Sequence, residues 1–268
     1  MSDYRYVLDV AQREFVTVLR TPMLRLLAGG YVLLVGAIAW LGASGAYLAL
    51  VLDLLTPMEV LVPVLAFTVG YRALLGDRES GELETLRTYP IAGGGYVLGV
   101  YLGRAVVVLA VVLLGLFVSA AFVPLSSSEQ LSVIATHATI DSPALYLRYV
   151  LLTALFALVV LAVALLVSAA ARSTRGGLAL AAGAVIVLVV GLDSALIGSL
   201  TGGFVSPDGV TALLALSPSS AYRSLVFALS IAPAGISVPS GPAVLVSSLG
   251  LLAWLVTALG LASFLAWR

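Results

Sequence analysis

The chain has 268 residues, of which 62% are hydrophobic and 10% charged, with a formal net charge of zero and a mean hydropathy of +1.17. Soluble domains carry about 25% charge, so a water-soluble globule is excluded, because its surface could not be covered with polar groups. Zero net charge does not point to nucleic acid, and the absence of Cys excludes disulfides and thiolate metal sites.

The apolar excess falls in long runs without charge: 26–52, 105–128, 149–171 and 224–267. Each reaches the ~20 residues with which an α-helix crosses the hydrocarbon core. A membrane β-barrel would show alternating segments of ~10 residues, and none is seen. The expectation is an all-α membrane protein: one transmembrane domain over 1–268, with six spanning helices and an N-terminal interfacial amphipathic helix. The N-terminus lacks the short apolar core of a signal peptide directly after a basic start.

In chain order, residues 3–21 predict the amphipathic helix. Tyr4, Val7, Leu8, Ala11, Phe15, Val18 and Leu19 follow helical spacing, while Asp3, Arg5, Asp9, Arg13 and Arg20 mostly take the other side. Such a helix before a first span lies in the membrane interface, and Thr21-Pro22 turns the chain inward. Spans are predicted at about 24–43, 48–74, 97–124, 145–170, 177–199 and 243–266. The first turns of the third span, up to Arg104, are expected at the interface with the arginine snorkelling. An apolar stretch at 209–231 predicts a short outer or re-entrant helix.

All thirteen basic residues are Arg, a bias that suggests a GC-rich prokaryotic genome. With the N-terminus inside, eleven of them face the cytoplasm: 5, 13, 20, 25, 72, 78, 87, 104, 172, 175 and 268. Only Arg148 and Arg223 fall outside. Positive residues favour the cytoplasmic side during insertion, so both termini are expected in the cytoplasm of a multi-pass protein of the cell membrane.

The loop between the second and third spans then faces the cytoplasm. It reads Ala73-Leu-Leu-Gly-Asp-Arg-Glu-Ser-Gly-Glu-Leu-Glu-Thr-Leu-Arg-Thr-Tyr-Pro-Ile91. Asp77 or Ser80 suits a helix cap, and Glu79, Glu82 and Glu84 complement an N-terminal dipole. Leu83 and Leu86, three residues apart, share a face, and Pro90 ends the element. The expectation is a short helix with an apolar ridge, shaped for a groove on a soluble partner.

This segment resembles the coupling loop of type-two (ABC-2) ABC transporter permeases, whose usual form is Glu-Arg-Glu-x-Gly-Thr-Leu-Glu-Leu-Leu-x-x-x-Pro-Ile/Val-Ser-Arg. Asp77, Arg78, Glu79, Gly81, Leu83, Glu84, Leu86, Pro90 and Ile91 match in register. The stretches 62–71 and 98–104, and Leu216-Ser-Pro-Ser-Ser-Ala-Tyr-Arg223 before the last span, are also similar. Within the family they look most like the NosY-like permeases of copper processing and nitrous oxide reductase maturation. Two features depart from the pattern: Ala92-Gly-Gly-Gly95 replaces the family's Ser-Arg, and Val100 stands where a Lys is often found.

The resemblance implies a permease dimer on a separate ABC ATPase subunit, with an extracytoplasmic accessory protein as a further partner. The permease would couple ATP hydrolysis to transport or to force transmission. It carries no ATPase site of its own, since the Walker pattern needs a Lys and the chain has none. No cofactor is implied. Copper passing through the chain would call for soft or imidazole ligands, and one His and three Met offer little. An exporter of lipid, peptide or drug is the second reading.

Gly95, Gly99 and Gly103 form a small-xxx-small stripe, read as helix packing within the subunit rather than a dimer seam. Ionisable groups in spans are functional candidates by default. Asp53 and Asp193 lie toward the outer side, which leaves Glu59 as the candidate for an interior polar contact. Gly42-Ala-Ser-Gly45 spells the Gly-x-Ser-Gly of rhomboid-type intramembrane proteases, a reading from another class. A serine nucleophile needs a base within reach, and the one histidine, His137, lies in a predicted outer loop.

Overall fold

The computed structural model describes residues 3–42, 45–87, 93–125, 141–192, 194, 198, 217–235 and 243–267. These residues are helical apart from turns. Among the described residues ten α-helices run in chain order: α1 (Asp3–Arg20), α2 (Pro22–Gly42), α3 (Tyr47–Gly70), α4 (Leu75–Glu79), α5 (Glu82–Arg87), α6 (Gly93–Phe122), α7 (Pro143–Ala170), α8 (Thr174–Ile186), α9 (Pro218–Val226) and α10 (Ala243–Trp267). A π-helical turn, Val187–Gly191, continues α8, and another, Phe227–Ile231, continues α9.

Among the described residues, six helical runs are long and apolar enough to cross a membrane: Pro22–Gly42, Tyr47–Glu79, Gly93–Leu125, Pro143–Ala170, Thr174–Gly191 and Val244–Trp267. The third predicted span starts earlier than expected, at Gly93. The predicted stretch 209–231 is helical from Pro218 onward, and its first part lies outside the described residues.

The bundle is built around α3 and α7, the most buried of the six runs, while α2, α8 and α10 lie toward the periphery. Outward positions are apolar: Leu26, Leu33, Leu41, Leu151, Leu245 and Val256 are all more than half exposed. That pattern suits a solvent of acyl chains, where small residues and internal hydrogen bonds hold helices together. Buried hydroxyls bond backbone carbonyls: Tyr146 donates to Leu116 O at 2.7 Å and Tyr101 to Leu158 O at 3.1 Å.

The two ends of the bundle differ. At one end lie α1, α4, α5, the start of α6, the turn between α7 and α8, and the end of α10. At the opposite end the Asp141 carboxylate accepts from Tyr47 N and Leu48 N, at 3.1 and 2.9 Å, satisfying two open N–H groups at the start of α3. Trp40 and Phe122 pack edge-to-face there, with ring centroids 5.5 Å apart.

α1 lies along the first half of α6. A Cβ on Gly99 would sit 2.7 Å from Val10 Cβ and 2.9 Å from Val7 O, and one on Gly103 would sit 2.7 Å from Glu14 Cβ. Gly95 is looser, with Val7 Cγ2 at 3.6 Å. The face that α1 buries follows Val10, Glu14 and Val18, whereas Leu8 and Leu19 stay exposed. The sequence pattern predicts a purely apolar inner face; the stripe instead contains a carboxylate, because Arg104 waits opposite it. Gly103→Val is expected to destabilise the protein by about 1–3 kcal/mol through overpacking, read as a lowered Tm in detergent. Gly94→Ala, whose Cβ meets nothing within 4 Å, is expected to be near neutral.

Candidate functional site

The segment 75–87 folds as two short helices rather than the single predicted one. Gly81, with φ of +75°, makes a left-handed turn between α4 and α5 that other residues adopt reluctantly. Neither Asp77 nor Ser80 serves as the expected cap; Ser80 Oγ donates back to Asp77 O at 3.2 Å.

Each of the three charged residues in Asp77-Arg78-Glu79 is tied to the bundle. Asp77 Oδ2 accepts from Arg13 at 2.8 Å and from the Tyr96 hydroxyl. Arg78 donates to Ala169 O and Ala171 O, both at 3.1 Å, and to Leu265 O at 3.2 Å. Its guanidinium thus holds open carbonyls at the C-terminal ends of both α7 and α10, where a cation also complements the helix dipole. Glu79 accepts from Thr174 Oγ1 at 2.8 and 2.7 Å and pairs with Arg72 at 3.5 Å.

Leu83 does not form an outward ridge. It turns inward and is 2% exposed, anchoring α5 to the bundle, because burying a leucine side chain is favourable by about 1.5–3 kcal/mol over leaving it in water. Glu82 and Glu84 face outward instead. The Leu86 side chain, Pro90 and Ile91 lie outside the described residues. An open cavity of about 450 Å³ sits beside Leu83, its rim carrying Arg78, Glu84 and Arg172 and its floor Leu265 and Ala169.

Arg13 joins this segment to α1. It donates to Asp77, to Glu82 and, at 2.9 Å, to Glu14. Burial works against its charge, but Asp77 and Glu14 outweigh burial and raise its pKa. Glu14 in turn pairs with Arg104 at 2.7 Å, their side chains 4% and 11% exposed. Arg104 also donates to Val69 O, near the end of α3. Arg104 therefore does not snorkel to the interface as predicted; a buried carboxylate holds it inside. Glu14 carries one signal in the sequence, an acid in line with Val10 and Val18 at helical spacing.

Glu59 also finds its partner far away in sequence. Arg223 Nε donates to Glu59 Oε1 at 2.7 Å, and a terminal nitrogen donates to the other oxygen. Arg223 stands on α9, whose neighbouring Tyr222 bonds Thr153 Oγ1 at 2.8 Å and stacks on Phe156 with centroids 4.6 Å apart. Ser219 Oγ donates to Leu188 O, within the π-helical turn after α8, at 3.0 Å. The expectation that Arg223 lies on the outer side is revised: it reaches the middle of α3. Asp193, His137 and Ser44 lie outside the described residues. Among the described residues no three His, Asp or Glu side chains come together as a metal-ligand group.

Glu14 and Arg104 form a buried pair, so removing one partner strands a charge. Glu14→Ala is expected to destabilise by about 3–5 kcal/mol, measured as a fall in Tm. Glu14→Leu combined with Arg104→Met is expected to recover most of that loss.

Comparison with known proteins agrees with this architecture. A family profile described as "ABC-2 family transporter protein" matches residues 8–266. The protein from Pseudomonas aeruginosa called "Probable ABC transporter permease protein NosY" is 31% identical over 273 residues, spanning 97% of this chain and 95% of the relative. A protein of the same name from Stutzerimonas stutzeri is 28% identical over 274 residues, spanning 96% of each. With six membrane-length helices and a match along nearly its whole length, this chain belongs to the ABC-2 transporter family.

Proposed function

We propose that the protein is the membrane-spanning permease subunit that couples ATP hydrolysis by a separate ABC ATPase subunit to transport or force transmission across the cytoplasmic membrane. The arginine-rich end of the bundle then faces the cytoplasm, with both termini on that side, in keeping with the bias for positive residues inside. Two permease copies act on two ATPase subunits. The resemblance to NosY-like permeases, a name that both relatives carry, extends the proposal to copper-enzyme maturation, in which an extracytoplasmic accessory protein would receive the motion or the cargo.

The observation that carries this reading is the attachment of residues 75–87. A segment that merely linked two spans would need no more than solvation. Here Asp77, Arg78 and Glu79 are each fastened to a different part of the bundle, and Leu83 is buried. A push on α5, passed across the Gly81 turn to α4, is thereby delivered to α1, α7, α8 and α10 together. Division of labour follows within the motif. Asp77, Arg78, Glu79 and Leu83 transmit, Gly81 makes the turn, and Glu84 on the outer face meets the ATPase. Leu86, Pro90 and Ile91 complete the docking segment by the same resemblance.

Two variants separate the roles. Glu84→Arg is expected to weaken capture of the ATPase subunit about tenfold or more by reversing charge at the interface. Arg78→Ala is expected to keep capture but lose coupling, because it frees carbonyls on two helices, each bond to a charged donor being worth roughly 1.5–3 kcal/mol. Affinity pull-down and ATP turnover of the reconstituted complex are the readouts. Unchanged capture and unchanged coupling in both variants would sink the proposal.

A further inference from the structure

Glu59 and Arg223 meet at a depth where a bilayer tolerates charge least. Glu59 lies twelve residues along the Tyr47–Gly70 helix, about 18 Å from its start at 1.5 Å per residue. The hydrocarbon core is about 30 Å thick. The contacts of α9 lie at similar depth. Thr153, which meets Tyr222, stands ten residues into α7, about 15 Å along it. Leu188, which accepts from Ser219, lies in the last third of the Thr174–Gly191 run.

The pair is closed on one side and open on the other. The Glu59 side chain is 5% exposed, the Arg223 side chain 43%. Ser224, Phe227 and Ala228 continue the partly open side, while Tyr222, Leu225 and Val226 are buried against the bundle. Arg223 is held in place, because two of its nitrogens are committed to the Glu59 carboxylate. It cannot snorkel to an interface as a lone arginine does.

The backbone around it is also of an unusual kind for this depth. α9 is a nine-residue helix that begins after Ser217 and passes into a π-helical turn. Short, broken helices within the hydrocarbon region persist where they are covered by protein or line water. Intramembrane ionisable residues likewise face the bundle interior or an aqueous cavity. The bundle covers Glu59 but leaves much of Arg223 open.

We infer that the open side of α9 and of the π-helical turn that continues it, bearing Arg223, Ser224 and Ala228, lines a water-filled path at mid-membrane, with the Glu59–Arg223 pair as its polar wall. Such a path suits cargo with charged or strongly polar groups and disfavours acyl-chain-like cargo. The inference rests on the permease reading and narrows it, since a bundle that only conveyed force would need no water at this depth.

The absence of native Cys makes the test direct. Single-cysteine variants Ser224→Cys and Ala228→Cys, in the assembled complex in native membranes, are treated with a charged, membrane-impermeant thiol reagent. Leu114→Cys and Leu151→Cys, on outward apolar positions 55% and 61% exposed, are the references. Because the thiolate is the reactive form and needs water, the α9 cysteines are expected to label about tenfold or more faster than the references. Labelling no faster than the references overturns the inference. So does an oxidant-induced disulfide between two copies without labelling, which would mean that a second copy covers this side. The labelling needs no ATP, so its failure leaves the coupling proposal standing, and loss of coupling in Arg78→Ala leaves the labelling result standing.

Discussion

Inside a bilayer no water is at hand to satisfy a polar group, so each one that the helices carry inward must be met by another part of the chain. Most of the specific geometry in this protein follows from that demand. Where α3 gives way to α4, Ser168 Oγ accepts from Leu74 N and Leu75 N at 3.0 and 3.1 Å. Where α3 ends, Arg104 takes the Val69 carbonyl. Where α7 and α10 end, Arg78 takes theirs. The places where spans stop are thus stitched to one another by side chains from neighbouring elements, and the stitching decides which elements are mechanically joined.

At the arginine-rich end this produces one connected group of charges. Glu14 sits between Arg13 and Arg104, and Asp77 between Arg13 and Tyr96. The group spans α1, α4, α5 and α6. Partly buried charges of this kind are poor contributors to net stability but are strongly destabilising when halved. Their value is in specifying register: α1 cannot slide along α6 without parting Glu14 from Arg104, and α4 cannot lift without parting Asp77 from Arg13. The close approach of α1 to Gly99 and Gly103 brings these partners within reach.

Much of the architecture was legible in the sequence because lipid imposes a length on apolar runs. The six spans and the lead-in helix could both be read from local pattern. The orientation of individual side chains could not. Leu83 looked like an outward ridge because a six-residue helix carries too little periodicity to phase its faces. Gly81 read as a motif position, but only its backbone angle shows that it divides the segment in two. Arg104 looked like a snorkelling residue because Glu14, its partner, lies 90 positions earlier. Glu59 stood out as an acid in a span, yet nothing local indicates Arg223, which is 164 positions away. Charge pairing between distant segments is a tertiary property, and single-sequence reading sees each half as an anomaly.

The helix that carries Glu59 also contains Pro57 and Pro63. Proline has no N–H to give, so Pro63 leaves the Glu59 carbonyl without its helical donor four residues on, and Pro57 does the same for Asp53. The helix is therefore least stiff along the stretch where its one mid-span acid grips α9. Bending of the half nearer Tyr71 is absorbed at this soft joint instead of being passed rigidly to the half nearer Tyr47. In the proposed coupling, what would cross the joint is tension through a carboxylate and a guanidinium, so α9 would be moved by a tether rather than by a lever.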